Sequence, residues 1–285
     1  MPVSKTTGGQ AGMRDGHASG YPGVTQLVNA PDFAITHLKV ACSTCNLRES
    51  CLPLGLSLPD VKRLEELVVA SKRLRRGGRL FRAGDKFESL YAVRIGFLKS
   101  TAVSPDGHEQ VLGFHMAGEL VGLDGISNGT HMCEAVALED TDVCVIPYAG
   151  IEAVAQAVPK LRNHFHKVMS REIVREHGVM LLLGTMNADE RLAVFLLNLS
   201  LRFEARRYSR SEFVLRMTRA EIGSFLGLQL ETVSRVLSRF AQDGLLEVNQ
   251  KHVRIVNPGG LRAIVSGEAP DRASRQRLTE DLGVA

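Results

Sequence analysis

Apolar positions change their spacing twice along the chain, and the changes divide it into parts. Residues 1–36 carry no periodic apolar pattern, which predicts a disordered tail. Ser57-Leu58-Pro59-Asp60 then leads into Val61, Leu64, Leu67 and Val68, a helical stripe. From about Leu74 to Pro147 the apolar segments become short: 89–95, 97–103, 110–115, 133–138 and 142–146. Turn signals such as Pro105-Asp106-Gly107, Ala117-Gly118 and Ser127-Asn128-Gly129 separate them. Short strands at this spacing predict an antiparallel roll or barrel.

The texture changes again at Pro159, a residue suited to the first turn of a helix, and nothing breaks the pattern until about Gly184. Within it Leu161, Phe165, Met169, Ile173, Glu176, Met180 and Leu183 recur at steps of four and three. The seam is about 25 residues long, or roughly 37 Å at the helical rise. Such a stripe can pack on the roll of its own chain. Its a/d-like spacing favours a second copy of the same helix, with Phe165, Met169, Ile173, Glu176 and Met180 at the interface. Gly178 inside the run allows a kink or a close approach. Glu176 interrupts the seam: two such carboxylates facing each other would repel, unless the residue lies on the helix surface beside it.

The most diagnostic segment is 217–240. Thr218 and Glu221 form a T-x-x-E capping box, and Gly227 falls where a turn between two short helices needs positive φ. The second helix separates into two faces. Leu230, Val233, Val236, Leu237 and Phe240 are predicted buried, whereas Glu231, Ser234, Arg235 and Ser238 share the opposite face. Those polar types suit base edges: Arg binds guanine bidentately, Glu accepts from cytosine, and Ser is adaptable. This is a helix-turn-helix whose second helix reads DNA, and 244–248 with 253–256 read as the hairpin of a wing. The tail after Pro258 is polar and gives no functional signal.

Charge placement agrees. Ten lysines and arginines against six acids lie in 202–254, so this stretch holds as large an excess as the whole chain's +4. A locally basic domain in a near-neutral chain suggests an anionic partner. No run approaches the ~18 apolar residues of a membrane helix, and the N-terminus lacks a hydrophobic signal core. A cytoplasmic, reducing location is therefore expected, where clustered cysteines more often bind metal than pair. Three of the five cysteines, Cys42, Cys45 and Cys51, are spaced C-x2-C-x5-C. Three thiolates in ten residues can converge on one soft metal centre, leaving a fourth ligand to come from elsewhere. Spacing alone leaves zinc and iron–sulfur open. It also leaves a thiol switch, or a thiol–disulfide enzyme using Cys42-x2-Cys45, although the βαβ setting common to such enzymes is not visible. No Ser/His/Asp or paired-carboxylate arrangement stands out, and no catalysis is assigned.

A β-roll, a long helix and a winged helix-turn-helix, in that order, resemble the CRP/FNR-superfamily transcription regulators. Within that group the chain is similar to the fumarate-and-nitrate-reduction (FNR) oxygen sensors, over roughly residues 37–257. The motifs that carry the resemblance are Cys42-x2-Cys45-x5-Cys51, the strand Thr141-Asp142-Val143-Cys144-Val145-Ile146-Pro147 and the helix Glu231-Thr232-Val233-Ser234-Arg235. It implies an α+β fold with a cysteine segment and β-roll sensor domain over 37–158, a dimerisation helix over 159–184, a winged helix-turn-helix over 185–257 and a tail over 258–285. It further implies Cys144 as the fourth ligand of an oxygen-labile [4Fe–4S] cluster, with Cys133 a small buried residue. A homodimer reading palindromic TTGAT-like double-stranded DNA through Glu231, Ser234 and Arg235 follows. So does RNA polymerase as a partner, touched by the turn at Asp106-Gly107 and nearby loops. In the dimer helix Glu176 lies where the family carries an acidic residue. Cyclic-nucleotide-binding relatives follow Gly-Glu-Leu with an arginine that holds the cyclic phosphate. Here Gly118-Glu119-Leu120 is kept, but Thr130-His131-Met132-Cys133 offers no guanidinium, and no cyclic nucleotide is expected.

Overall fold

The computed structural model describes residues 33–36, 41–47, 51–68, 70–104 and 106–267. The architecture is α+β. Strand β1 (Phe33–Thr36) precedes a 3₁₀ turn at Cys42–Thr44 and helix α1 (Leu58–Leu67), capped by the Ser57 side chain. The roll follows as β2 (Ala70–Leu74), β3 (Arg79–Phe81), β4 (Ser89–Ile95), β5 (Phe97–Val103), β6 (Glu109–Met116), β7 (Leu120–Val121), β8 (Glu134–Ala137) and β9 (Thr141–Pro147). Two antiparallel sheets build it, in the orders β1-β2-β9-β4-β7 and β3-β8-β5-β6. Gly96, at φ 97°, turns β4 into β5 so close to β9 that a Cβ there would lie 2.4 Å from Thr141 Oγ1. Only glycine fits that position.

β1 corrects part of the tail expected over 1–36. Its backbone pairs with β2, Phe33 opposite Leu74, and so satisfies an edge that would otherwise present open hydrogen-bonding groups. The rest of that tail, residues 1–32, lies outside the described residues, as does 268–285.

Helix α2 (Tyr148–Ala157) leads into the long helix α3 (Pro159–Thr185), which has Pro159 in its first turn and runs unbroken through Gly178. Nothing lies within 4 Å of a Cβ placed on Gly178, so within the chain it permits no close approach. The apolar stripe of α3 serves two surfaces. Leu161 and Phe165 are buried against their own roll with Leu52, Leu64, Leu90 and Ile146, and Met169 packs at the edge of that cluster. Ile173 and Met180 are 53% and 68% exposed, and Glu176 is exposed as well.

The C-terminal part comprises α4 (Ala188–Glu204), β10 (Glu212–Val214), α5 (Arg219–Leu226), α6 (Leu230–Gln242), β11 (Leu246–Asn249), β12 (His252–Ile255) and α7 (Pro258–Ser266). Where a polar tail is expected after Pro258, the chain forms α7. The Asn257 side chain caps it by accepting from Gly260 N at 2.8 Å, and Leu261 is fully buried. The Asn-Pro start and the spacing of Leu261, Ile264 and Val265 carry that signal. Phe97, Val111, Phe114, Met116 and Leu138 of the roll share one core with α4, α5 and α6. At its centre the Phe114 ring lies 5.3 Å from that of Phe225 and 6.1 Å from that of Phe195.

Candidate metal pocket and DNA-binding face

Cys42, Cys45 and Cys51 sit on the loop before α1, and Cys144 sits in the middle of the first sheet, between Ser71 of β2 and Ala92 of β4. All four line a single small cavity of about 30 Å³, partly open to solvent, completed by Leu47, Leu52, Pro53, Leu64, Val68, Ala92, Val93, Arg94 and Ile146. Sequence reasoning missed Arg94, the one charged side chain of this wall, which pairs with Asp142 at 3.6 Å. Cys133 lies elsewhere, buried, with its Sγ 3.4 Å from Asp124 Oδ2.

The loop is held from three sides. Leu52 and Leu56 are buried in the core beneath it, Ser43 N donates to Glu65 Oε2 of α1 (3.3 Å), and the His164 ring of α3 lies against the Cys51 backbone. Burial pushes the Cys42 thiol up to about 11 and the Cys51 and Cys144 thiols to about 12, with neighbouring cysteines adding to the rise. As free thiols they are protonated and weakly nucleophilic at neutral pH, the opposite of a redox-active C-x2-C. Among the described residues no three His, Cys, Asp or Glu side chains are placed to grip one metal ion together.

The helix-turn-helix forms as the sequence predicts. Thr218 and Glu221 cap α5 reciprocally, Gly227 adopts φ 64° between the helices, and Val233, Val236, Leu237 and Phe240 are buried. Leu230, predicted buried, is 45% exposed, because α6 begins there and its first residue lies outside the packed face. Glu231, Arg235 and Ser238 are exposed and Ser234 is half-buried, all on one face of α6. Arg235 Nη2 donates to Thr232 Oγ1 (3.2 Å), and Ser234 Oγ accepts from Arg219 Nη1 (3.2 Å). The wing is three-stranded, ordered β10-β12-β11.

Glu119, the acid of Gly118-Glu119-Leu120, is fully engaged inside the chain. Oε1 accepts from Arg206 Nη2 (2.6 Å) and Arg202 Nε (3.2 Å), and Oε2 from Arg202 Nη2 (2.7 Å) and Met116 N (3.0 Å). Burial alone would raise its pKa. Arg202 and Arg206 outweigh that and hold it down at about 2.

Residues 71–157 match the cyclic nucleotide-binding domain family and residues 190–264 the Crp-like helix-turn-helix domain family. The transcriptional regulatory protein btr of Bordetella pertussis is 46% identical over 228 residues, 80% of this chain and 94% of that protein. The transcriptional activator protein Anr of Pseudomonas protegens is 47% identical over 81% of this chain and 95% of its own length. The fumarate and nitrate reduction regulatory protein of Salmonella typhimurium is 42% identical over 79% and 90%. Among solved structures, FixK2 from Bradyrhizobium japonicum superposes with a TM-score of 0.63 at 29% identity, covering 68% of this chain and 96% of that one. These relatives are transcription regulators, not enzymes. The chain belongs to the CRP/FNR superfamily of DNA-binding transcription regulators, and within it to the FNR type.

Proposed function

We propose that the chain is an oxygen-responsive regulator that holds a [4Fe–4S] cluster on Cys42, Cys45, Cys51 and Cys144, pairs through α3 and binds palindromic TTGAT-like DNA. The observation that carries this reading is the convergence of all four cysteines, from two separate elements, on one apolar cavity. A single zinc ion needs every sulfur about 2.3 Å from one point, whereas a cluster takes each thiolate on a different iron. Four cysteines lining one cavity, with no three of the described side chains placed to grip a single ion, favour the larger group. Bound there, the cluster would supply an oxygen-labile tie between the cysteine loop and the roll. The protein's part is to orient the thiols, to keep them from water with Leu52, Leu64 and Ile146, and to fasten the loop to α3 through His164.

The exposed Ile173, Val174, Met180 and Leu181 form apolar surface on α3 fit for a second copy, with Glu176 among them and Phe165 and Met169 supporting the helix from beneath. Glu231, Ser234, Arg235 and Ser238 read bases. A two-fold dimer explains a palindromic site. RNA polymerase is the further partner, in keeping with relatives named as activators, and a cytoplasmic location goes with these partners. Glu119, the acid of Gly118-Glu119-Leu120, is occupied by arginines and is not open to a nucleotide sugar.

A gel shift on a TTGAT palindrome tests the proposal, using anaerobically purified protein before and after air. Tight anaerobic binding that weakens in air is expected, with Cys144→Ser weak throughout. Equal binding in both atmospheres would overturn the sensor reading and leave the DNA-binding role intact.

A further inference from the structure

We propose that Glu119 is a positioning residue for DNA binding, joining the roll, the long helix and the first helix of the DNA-binding domain so that the setting of α3 reaches the recognition helix. The link to α3 rests on the sensing role proposed above; the link to DNA affinity does not.

The carboxylate accepts four hydrogen bonds, which fills its acceptor capacity. One comes from the roll's own backbone and three from Arg202 and Arg206, on and just after the last turn of α4. The same two arginines are fixed to the roll a second time: Arg202 Nη2 donates to Phe114 O and Arg206 Nε to Ala117 O, both at 2.6 Å. Their side chains are only 18% and 8% exposed, so the two cations face each other across little water. Without the carboxylate between them the arrangement would hold uncompensated buried charge. α4 in turn carries α6: the two helices share a core, and Arg239 pairs with Asp189. The orientation of α4 therefore sets where Arg235 points.

The third leg is Arg175 of α3, with Nη1 3.9 Å from Glu119 Oε2 while its Nη2 binds Glu172 on its own helix. Arg175 lies one residue from Glu176 and two from Ile173, the exposed apolar and acidic positions of the same helix. A turn or slide of α3 on pairing would alter how Arg175 divides itself between Glu172 and Glu119. That gives a two-state contact between the helix and the joint. Lys99 to Glu221 (3.2 Å), Val111 N to Ser224 Oγ (2.8 Å) and the shared aromatic core hold the domain to the roll independently. Loss of Glu119 should consequently misplace the domain without releasing it.

The test uses the full chain, prepared anaerobically, as Glu119→Gln, Glu119→Asp and Arg175→Met. DNA affinity is read by fluorescence anisotropy, dimerisation by sedimentation velocity and the cofactor by visible absorbance. Glu119→Gln is expected to keep dimer and absorbance while its affinity for the palindrome weakens about tenfold or more, since a buried carboxylate has been taken from between two cations. Glu119→Asp should recover part of that loss. Arg175→Met, at a partly exposed site, should fold normally and shrink the difference in affinity between dimeric and monomeric preparations by about threefold or more. Unchanged affinity in Glu119→Gln would overturn the proposal, as would losses of dimer and DNA binding in equal proportion. If the parent protein carries no colour, the sensing role fails. The Glu119→Gln comparison is still read at concentrations where the chain pairs.

Discussion

Leu52 follows Cys51 and is 1% exposed, packed beneath the cysteine loop with Leu56, Leu64, Leu90 and Ile146. Leu52→Ala removes most of that anchor, at a cost of about 2–5 kcal/mol for a buried leucine whose surroundings relax only partly. The backbone bonds Cys51 N to Leu47 O, Leu54 N to Cys51 O and Leu56 N to Pro53 O are local, and Ser43 N to Glu65 Oε2 ties the loop to α1. Lifting the stretch around Leu52 loses the burial of that side chain. The cost falls on local opening, whose population should rise by roughly 30- to 5,000-fold. Amide exchange read by mass spectrometry is the assay, at Leu54 and Leu56, together with the decay of visible absorbance in air. Both should accelerate, with a smaller change in exchange across the roll. Unchanged exchange at Leu54 and Leu56, accompanied by a fall in the global unfolding midpoint, would rule out Leu52 as a local anchor. The loop would then open only with the whole domain.

Other outcomes follow from the same structure. Arg235→Ala should weaken binding to the palindrome by about 1–3 kcal/mol and relax preference at the guanine it reads; anisotropy with base-substituted duplexes checks it, and intact specificity would remove the assignment. If Glu176 carboxylates repel across the proposed dimer, Glu176→Ala should retain DNA binding in air; equally weak aerobic binding by the variant would sink the idea. Burial holds the His115 pKa down at about 3 against an ordinary 6.5, with Arg175 adding to the depression. Its neutral form is thus favoured in the fold, and the stability it contributes is complete above pH 6.5 and is lost as pH falls from there toward 3. Between about pH 5 and 7, above the range where Glu119 titrates, the slope should approach 1.4 kcal/mol per unit at the acid end. Denaturant unfolding of His115→Gln should show a flatter profile, and an identical slope would exclude His115 as the source.

Much of the fold was legible because each part announces itself locally. The T-x-x-E box and Gly227 fix the helix-turn-helix by capping and positive φ, and the turn signals between 89 and 147 place the strands of the roll. Less legible were features decided by tertiary contact. The spacing of Leu161 and Phe165 reads as one seam with Ile173 and Met180, yet the first two are spent on the roll. Periodicity shows which face is apolar and not what covers it. β1 depends on the open edge of β2, and Leu230 is exposed because a helix start lies outside the packed face. The candidate site divides in the same way. C-x2-C-x5-C is visible as spacing, whereas the placing of Cys144 and Arg94 beside it depends on sheet register, which no local pattern encodes. Arg202 and Arg206 reach Glu119 from the end of α4 and just beyond it, eighty-odd positions downstream, and in the sequence their charges read as part of a basic domain surface.

The central claim is that four thiols from two elements hold one iron–sulfur cluster. Iron and acid-labile sulfide, measured on protein purified without oxygen, test it most directly, with the parent chain and Cys144→Ala side by side. About four irons and four sulfides are expected per parent chain, with a large loss of both in the variant, since one of the four thiolates is gone. A parent chain free of iron, a zinc-loaded parent, or a Cys144→Ala variant with its full iron content would contradict it.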